Sequence, residues 1–382
     1  MPSNPSLPRQ FPTSGFTKLE PSTKIEEELL PLYKPDKIYP VQIGEVFASK
    51  YQVVSKLGYG ISSTVWLCRH LQELAYYTLK VCTLGERPNH EIALSKHRSQ
   101  AGEHAGRRFV RLVLDSFHVP LGMSVTEFQN LLPENEFSKK LTQRSAQLLL
   151  IGLAFMHDNN VIYTVNISSN NILRGIEDSS ILSEIENREI ERPIARKILD
   201  DRMVYKSRSM PICTGLPVIS DFGEARFGGQ KRKGDIMPGI YRAPEVISDM
   251  EWDCKVDVWS LGATIFDLAE DHHLFFAKKD GLLNDEQHLA EMVALMGPPP
   301  LEFLRRSQKS EQFWDSNWKG STPIPQQSFE DRARQFSGED KALFLGFLRQ
   351  IFRWLPEERP SAEELAYDDF LMQPFLAARD SA

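Results

Sequence analysis

The spacing of apolar positions changes character near residues 129–133. On the N-terminal side, 51–57 and 64–68 are β-rich runs flanking a Gly-containing turn, and 75–81 follows as a third strand. Residues 91–96 fit a helix, and 109–117 and 123–128 fit two further strands. Beyond 131 the period becomes helical. Residues 142–157 carry apolar side chains at helical spacing with Gln and Arg on the other face, and 256–270, 284–296, 338–354 and 362–365 also read as helices. The most apolar stretch, 146–156, is too short to span a bilayer and reads as a buried helix. The pattern predicts an α+β chain: a small β-rich lobe over 51–128 and a larger helical lobe over 132–375.

Four segments fall outside that pattern. Residues 1–23, rich in Pro and Ser, read as a disordered tail, and 376–382 as a second tail. Residues 24–50 alternate acidic residues with Leu, Tyr and Pro, which predicts an ordered arm packed on something. Residues 175–215 are charged and irregular and read as a surface insertion with little core. Within it, 180–192 can form an amphipathic helix with Ile181, Leu182, Ile185 and Ile190 inward.

Composition narrows the function classes. Of 382 residues, 41% are hydrophobic and 25% charged, which excludes wholesale disorder. The formal net charge of −7 lacks the basic footprint of a nucleic-acid binder, so no direct nucleic-acid contact is expected; it suits a basic protein substrate. Cys68, Cys82, Cys213 and Cys254 show no CxxC spacing, so neither a zinc motif nor a disulfide framework is expected. The first residues lack an apolar signal-peptide core and no stretch reads as membrane-spanning. The expectation is a monomer of the cytoplasm, the nucleus or both, with no membrane attachment.

Candidate chemistry begins at Leu57-Gly58-Tyr59-Gly60-Ile61-Ser62-Ser63-Thr64-Val65. A Gly-rich turn between strands lets backbone approach nucleotide phosphates, although alone it is equally a plain hairpin turn. Lys80 follows Val65 by 15 residues, within the strand-like run Tyr77-Thr78-Leu79-Lys80-Val81. Glu91, in the helix after it, is a candidate ion-pair partner. Asp221-Phe222-Gly223 precedes Ala243-Pro244-Glu245, with 24 residues between Asp221 and Glu245, and Asp257-Val258-Trp259-Ser260-Leu261-Gly262 and Arg359-Pro360 come later. The Asp221 carboxylate is a hard oxygen ligand suited to Mg²⁺.

In this order and spacing the motifs resemble those of eukaryotic protein kinases over about residues 51–375. The strings KLGYGISSTVWL, YRAPEVI and WSLGATIFDL, with Gln42–Phe47 ahead of them, look like the SR-protein kinase group, in particular its compact fungal relatives. The resemblance implies a bilobal kinase fold, Mg²⁺ and ATP as cofactors, and transfer to Ser or Thr of a protein substrate, Ser/Arg-rich by that likeness. It implies nucleotide contacts from Leu57, Gly58, Tyr59, Gly60, Ile61, Val65 and Lys80. The adenine is expected at the hinge of Glu127, Phe128 and Gln129, with Thr126 as gatekeeper. Metal contacts are expected from Asn171 and Asp221. It also implies that Asp257 supports the catalytic loop and that Arg359 pairs with Glu245.

The catalytic loop departs from the family's H-[RT]-D-x-x-x-x-N. Here it reads Tyr163-Thr164-Val165-Asn166-Ile167-Ser168-Ser169-Asn170-Asn171. Counting back from Asn171 puts Asn166 at the catalytic Asp. A register that pairs Tyr163-Thr164 with the first two motif positions puts Val165 there instead. In either register no carboxylate lies between Asn159 and Gly175. Asn cannot accept a proton, and loss of a general base costs about 10²–10⁴ in rate. A slow kinase and an ATP-binding pseudokinase both follow from this loop. Between Asp221 and Glu245 the only hydroxyl belongs to Tyr241, so a phospho-Ser/Thr switch in that segment is excluded by composition and packing must hold it. The basic run Gln230-Lys231-Arg232-Lys233 reads as solvated surface charge.

Overall fold

The computed structural model describes residues 6–31, 33–73, 75–84, 89–99, 102–111, 121–164, 167–237, 239–270, 272–314 and 322–380. The chain forms two compact units. The first combines Met1–His90, Leu114–Met123 and Arg174–Gly215; the second combines Glu91–Val113, Ser124–Leu173 and Leu216–Ala382.

The first unit is built on a four-stranded antiparallel meander, Val46–Phe47, Tyr51–Gly60, Ser63–His70 and Tyr76–Cys82, paired in chain order. β-branched and aromatic residues supply two apolar faces, and each face is covered by chain distant in sequence. Val53, Trp66, Cys68, Leu79 and Val81 pack against Val41 and Ile43 of the arm and against Ile194, Met203 and Tyr205. Val54 and Leu67 pack against Leu182 and Ile185 of the helix Ser180–Glu191.

That arrangement corrects two expectations. The segment 175–215 is not a surface insertion with little core. Its helix forms as the periodicity predicts, with Leu182 and Ile185 buried and Ile190 half-buried, and its buried residues complete the sheet's core. Its ends meet where the Gly215 amide donates to the Gly175 carbonyl at 3.1 Å, so the whole segment is an excursion closed at its base. Residues 6–23 differ from a disordered tail: the Ser6 amide donates to the Leu71 carbonyl at 2.7 Å, and Lys18–Leu19 pairs in parallel with Arg196–Ile198. Met203–Tyr205 adds antiparallel to the other side of Arg196–Ile198, giving a small second sheet. Local composition did not reveal this order because the partner strand lies more than 170 residues away.

The second unit is mainly helical, as the 3.6-residue period predicts. Its principal helices are Lys139–Asp158, Lys255–Ala269, Asp285–Met296 and Gly338–Ile351. Trp259, fully buried, stacks on Phe275 at 5.8 Å and takes the edge of Phe352 at 4.9 Å. Gly262 is required by close approach, since a Cβ there would lie 2.5 Å from Ile351 Cγ2. The chain end differs from a tail over 376–382, because the helix Asp369–Asp380 continues to Asp380. The strand expected over 123–128 stops at Ser124 and a helix, Val125–Gln129, takes over. The cause is a capping box: the Ser124 hydroxyl accepts from the Glu127 amide at 3.1 Å and the Glu127 carboxylate accepts from the Ser124 amide at 2.7 Å. The strand expected over 109–117 falls largely on 112–120, outside the described residues. Among the described residues no helix is long and apolar enough to cross a membrane.

Candidate active site

The chemistry-bearing residues occupy both units. In the first, strand register sets the geometry. Gly58 pairs with Val65, and Val65 pairs with Lys80, so the three form one row across three strands. Cross-strand partners share a face of the sheet. The lysine found by spacing alone therefore sits two strands from the first glycine of the motif, on the same face, half-buried. Gly58 and Gly60 are required by neither packing nor backbone strain: a Cβ at either would meet nothing within 4 Å. What the glycines leave is open space along the strand, the room a phosphate group needs. Tyr59 is 39% and Ile61 75% exposed beside that space, and Leu57 packs back against the sheet core. Glu91 lies in the helix Asn89–Ser99; its side chain falls outside the described residues.

In the second unit a buried carboxylate organises the loop before Asn171. Asp257 is fully buried and accepts from the backbone amides of Tyr163 at 2.8 Å and Thr164 at 3.0 Å. It also lies 3.0 Å from His157 Nε2. Thr164 takes φ +51°, uncommon for a β-branched residue, and its hydroxyl donates to the Glu224 carbonyl, so both ends of the residue are held. The Tyr163 ring meets the Phe222 ring edge-on at 5.3 Å and its hydroxyl donates to the Ser220 carbonyl. Farther on, the Ile167 amide donates to the Ser260 hydroxyl at 3.2 Å and the Asn171 amide to the Ser168 carbonyl at 2.9 Å. The loop is thus fixed on both sides of Val165 and Asn166, the two residues of the register question, which lie outside the described residues.

Asn171 and Asp221 are held together through backbone. The Asn171 carbonyl accepts from both the amide and the hydroxyl of Ser220, each at 2.9 Å. Phe222 is fully buried while Asp221, at φ +60°, is exposed. Anchoring one side chain in the core turns its neighbour's carboxylate outward, and an amide and a carboxylate form a hard oxygen donor set that fits Mg²⁺.

The residues of the expected hinge lie on the turn Val125–Gln129. Glu127 spends its carboxylate on the capping box, and Gln129 donates to the carbonyls of Asn135 at 2.8 Å and Asp267 at 2.9 Å. Thr126 donates its amide to the Ser169 carbonyl at 3.3 Å, and its hydroxyl lies 2.6 Å from that of Ser169. The Thr126 side chain holds the turn to the loop at Ser169.

The segment from Asp221 to Glu245 is held by packing, as its composition requires. Tyr241 is buried and its hydroxyl donates to Asp267 at 2.7 Å; burial and the Asp267 charge push its phenol well above the usual range. The backbone of Arg232 bridges that of Trp252, and Lys233 pairs with Asp249 at 3.1 Å on the surface. Arg359 grips Glu245 through two bonds of 2.6 and 2.7 Å, both residues buried.

Sequence reasoning missed Lys56, two residues before Gly58 and fully buried. Its only signal was a lysine inside a β-rich run that also holds Gln52 and Ser55.

Comparison with known proteins shows the family. The protein kinase domain family matches residues 51–371. A serine/threonine protein kinase of Aspergillus fumigatus is 41% identical, covering 96% of both chains. A serine/threonine-protein kinase SRPK of Physarum polycephalum is 29% identical, covering 92% of both. A solved kinase domain superposes with a TM-score of 0.66 at 21% identity, covering 87% of this chain and 98% of that one.

Proposed function

Because the chain belongs to the serine/threonine protein kinase family, we propose that it binds Mg-ATP through Gly58, Gly60, Val65, Lys80, Asn171 and Asp221 and transfers a phosphoryl group to Ser or Thr of a protein. The observation that carries this reading is the row Gly58–Val65–Lys80, which joins the phosphate-sized opening to a cation on one face of the sheet.

Bound Mg-ATP supplies the phosphoryl group and the charge neutralisation of a divalent ion. The chain's residues supply position. Lys80 offers an ammonium to phosphate oxygens, and Asn171 and Asp221 offer oxygen ligands from a backbone-fixed pair. Phosphoryl transfer depends mainly on positioning and electrostatics, so these groups account for most of the catalytic power of such a site. The SR-protein kinase likeness supports Ser/Arg-rich substrates as the finer reading, and the net charge of −7 favours a basic one.

A second reading, an ATP-binding pseudokinase, is favoured by one observation: no carboxylate lies between Asn159 and Gly175. Transfer of labelled phosphate to a basic Ser-rich protein separates the two. The native chain is expected to transfer slowly, Lys80→Met to lose on the order of 10² of that rate, and Asn166→Asp to gain about 10²–10⁴. No transfer by the native chain, with transfer by Asn166→Asp, establishes the pseudokinase.

A further inference from the structure

Three consecutive glutamates of the arm, on the 3₁₀ turn Glu26–Leu29, each reach a different group in the first unit. Glu28 holds the ammonium of Lys197 at 2.6 Å, Glu26 accepts from the Ser207 hydroxyl at 2.6 Å, and Glu27 pairs with Lys56. Glu27 makes the closest contact with the strand that carries the glycines. Lys56 Nζ also donates to the Tyr205 carbonyl at 3.0 Å and lies 3.8 Å from Glu26. The Lys56 carbonyl accepts from the Arg208 amide at 2.9 Å. Its ammonium stands 5.4 Å from the centre of the Tyr59 ring. Register irregularities flank this residue, at Val53/Ser55 and at Lys56/Gly58. A bulge re-aims side chains and marks where a strand's path is set by something other than its ladder.

We propose that Lys56 and Glu27 are positioning residues: the arm and the segment 175–215 clamp the strand at Lys56 and thereby fix Gly58–Gly60 for nucleotide phosphates. Only Leu57 separates the clamp from Gly58, a distance over which backbone has little slack. One side of the clamp is a carboxylate from before the sheet and the other a carbonyl and amide from about 150 residues after Lys56. The same lysine thus ties two remote stretches of chain to the phosphate-holding turn. The ladder pairs the two arms of the turn, and the clamp at Lys56 fixes the strand that feeds it.

The role rests on the reading of this turn as phosphate-holding, and the test separates the two. Mg-ATP affinity is measured by calorimetry, and melting temperature alongside, for the native chain, Glu27→Gln, Glu27→Asp and Glu28→Gln. Glu28→Gln breaks an equally buried ion pair of the same turn that does not touch the glycine-rich strand. The expected result is a Kd about tenfold weaker in Glu27→Gln, with partial recovery in Glu27→Asp, which keeps the charge and the fold. Glu28→Gln is expected to melt earlier with Kd within about twofold of native. An unchanged Kd in both Glu27 variants, or an equal loss in Glu28→Gln, overturns the positioning role. No binding by the native chain overturns the phosphate reading and this role with it.

Discussion

The two units bury different things. The second buries aromatic and aliphatic side chains around Trp259, and its helices follow from the period of those residues. Both also bury charge, Asp257 and the Arg359–Glu245 pair in the second, and the first gathers more of it around its smaller sheet. Lys56, Lys197, Arg196, Glu186 and Glu189 are all buried beneath or beside its sheet. Glu189 alone accepts from Arg208, Arg196, the Ser55 hydroxyl and the Ile194 amide. A small sheet covered on both faces by irregular chain has too little apolar surface to specify where each strap lies. Paired charges specify it, since a charge left without its partner in the interior is strongly unfavourable. Apolar packing gives the second unit its stability; ion pairs give the first its register.

That contrast can be broken most forcefully in the apolar unit. Trp259→Ala removes the ring stacked on Phe275 and is expected to cost about 3–5 kcal/mol in chemical denaturation. Glu189→Gln follows, at about 3 kcal/mol, because Arg196 and Arg208 lose their shared carboxylate. If the first unit were held by apolar contacts alone, that substitution would cost less than about 1 kcal/mol.

A smaller effect appears on acidification. His288 is fully buried with neither ring nitrogen bonded, and burial, aided by the charge of Arg242, pushes its imidazole down to about 3. The folded pKa lies below the ordinary 6.5, so the unfolded chain takes the proton first and stability is lost as pH falls below that value. At pH 5, one and a half units down at about 1.4 kcal/mol each, the loss is about 2 kcal/mol. Replacing His288 with Phe, a ring that never titrates beside Phe275, is expected to remove that share of the acid sensitivity in melts between pH 7 and 5.

The smallest effect belongs to the activation segment. Tyr241→Phe forfeits one bond to Asp267, about 1 kcal/mol, and leaves phosphate transfer within about twofold. A large loss of transfer would show that this hydroxyl does more than pack.

The same contrast sets what could be read from the chain. Helices of the second unit were legible because their period repeats every three to four residues. Lys80 was legible because motif spacing is local, and the register of three adjacent strands then brought it beside Gly58. The short helix at Val125–Gln129 was missed because a serine and a glutamate three residues apart override a strand-like run. Lys56, Glu27 and the ordered stretch 6–23 were invisible because their partners lie up to about 180 residues away, and an ion pair has no period. The insertion's helix and the strands of the sheet were legible; their packing against each other was not.

The most direct test of the account is a titration of Mg-ATP into the native chain and into Lys80→Met, followed by calorimetry. Saturable, metal-dependent binding by the native chain that is weakened at least about tenfold in Lys80→Met is the predicted result. Absence of binding by the native chain, or equal binding by the two, would contradict the assignment of the Gly58–Val65–Lys80 row as the phosphate-holding half of the site.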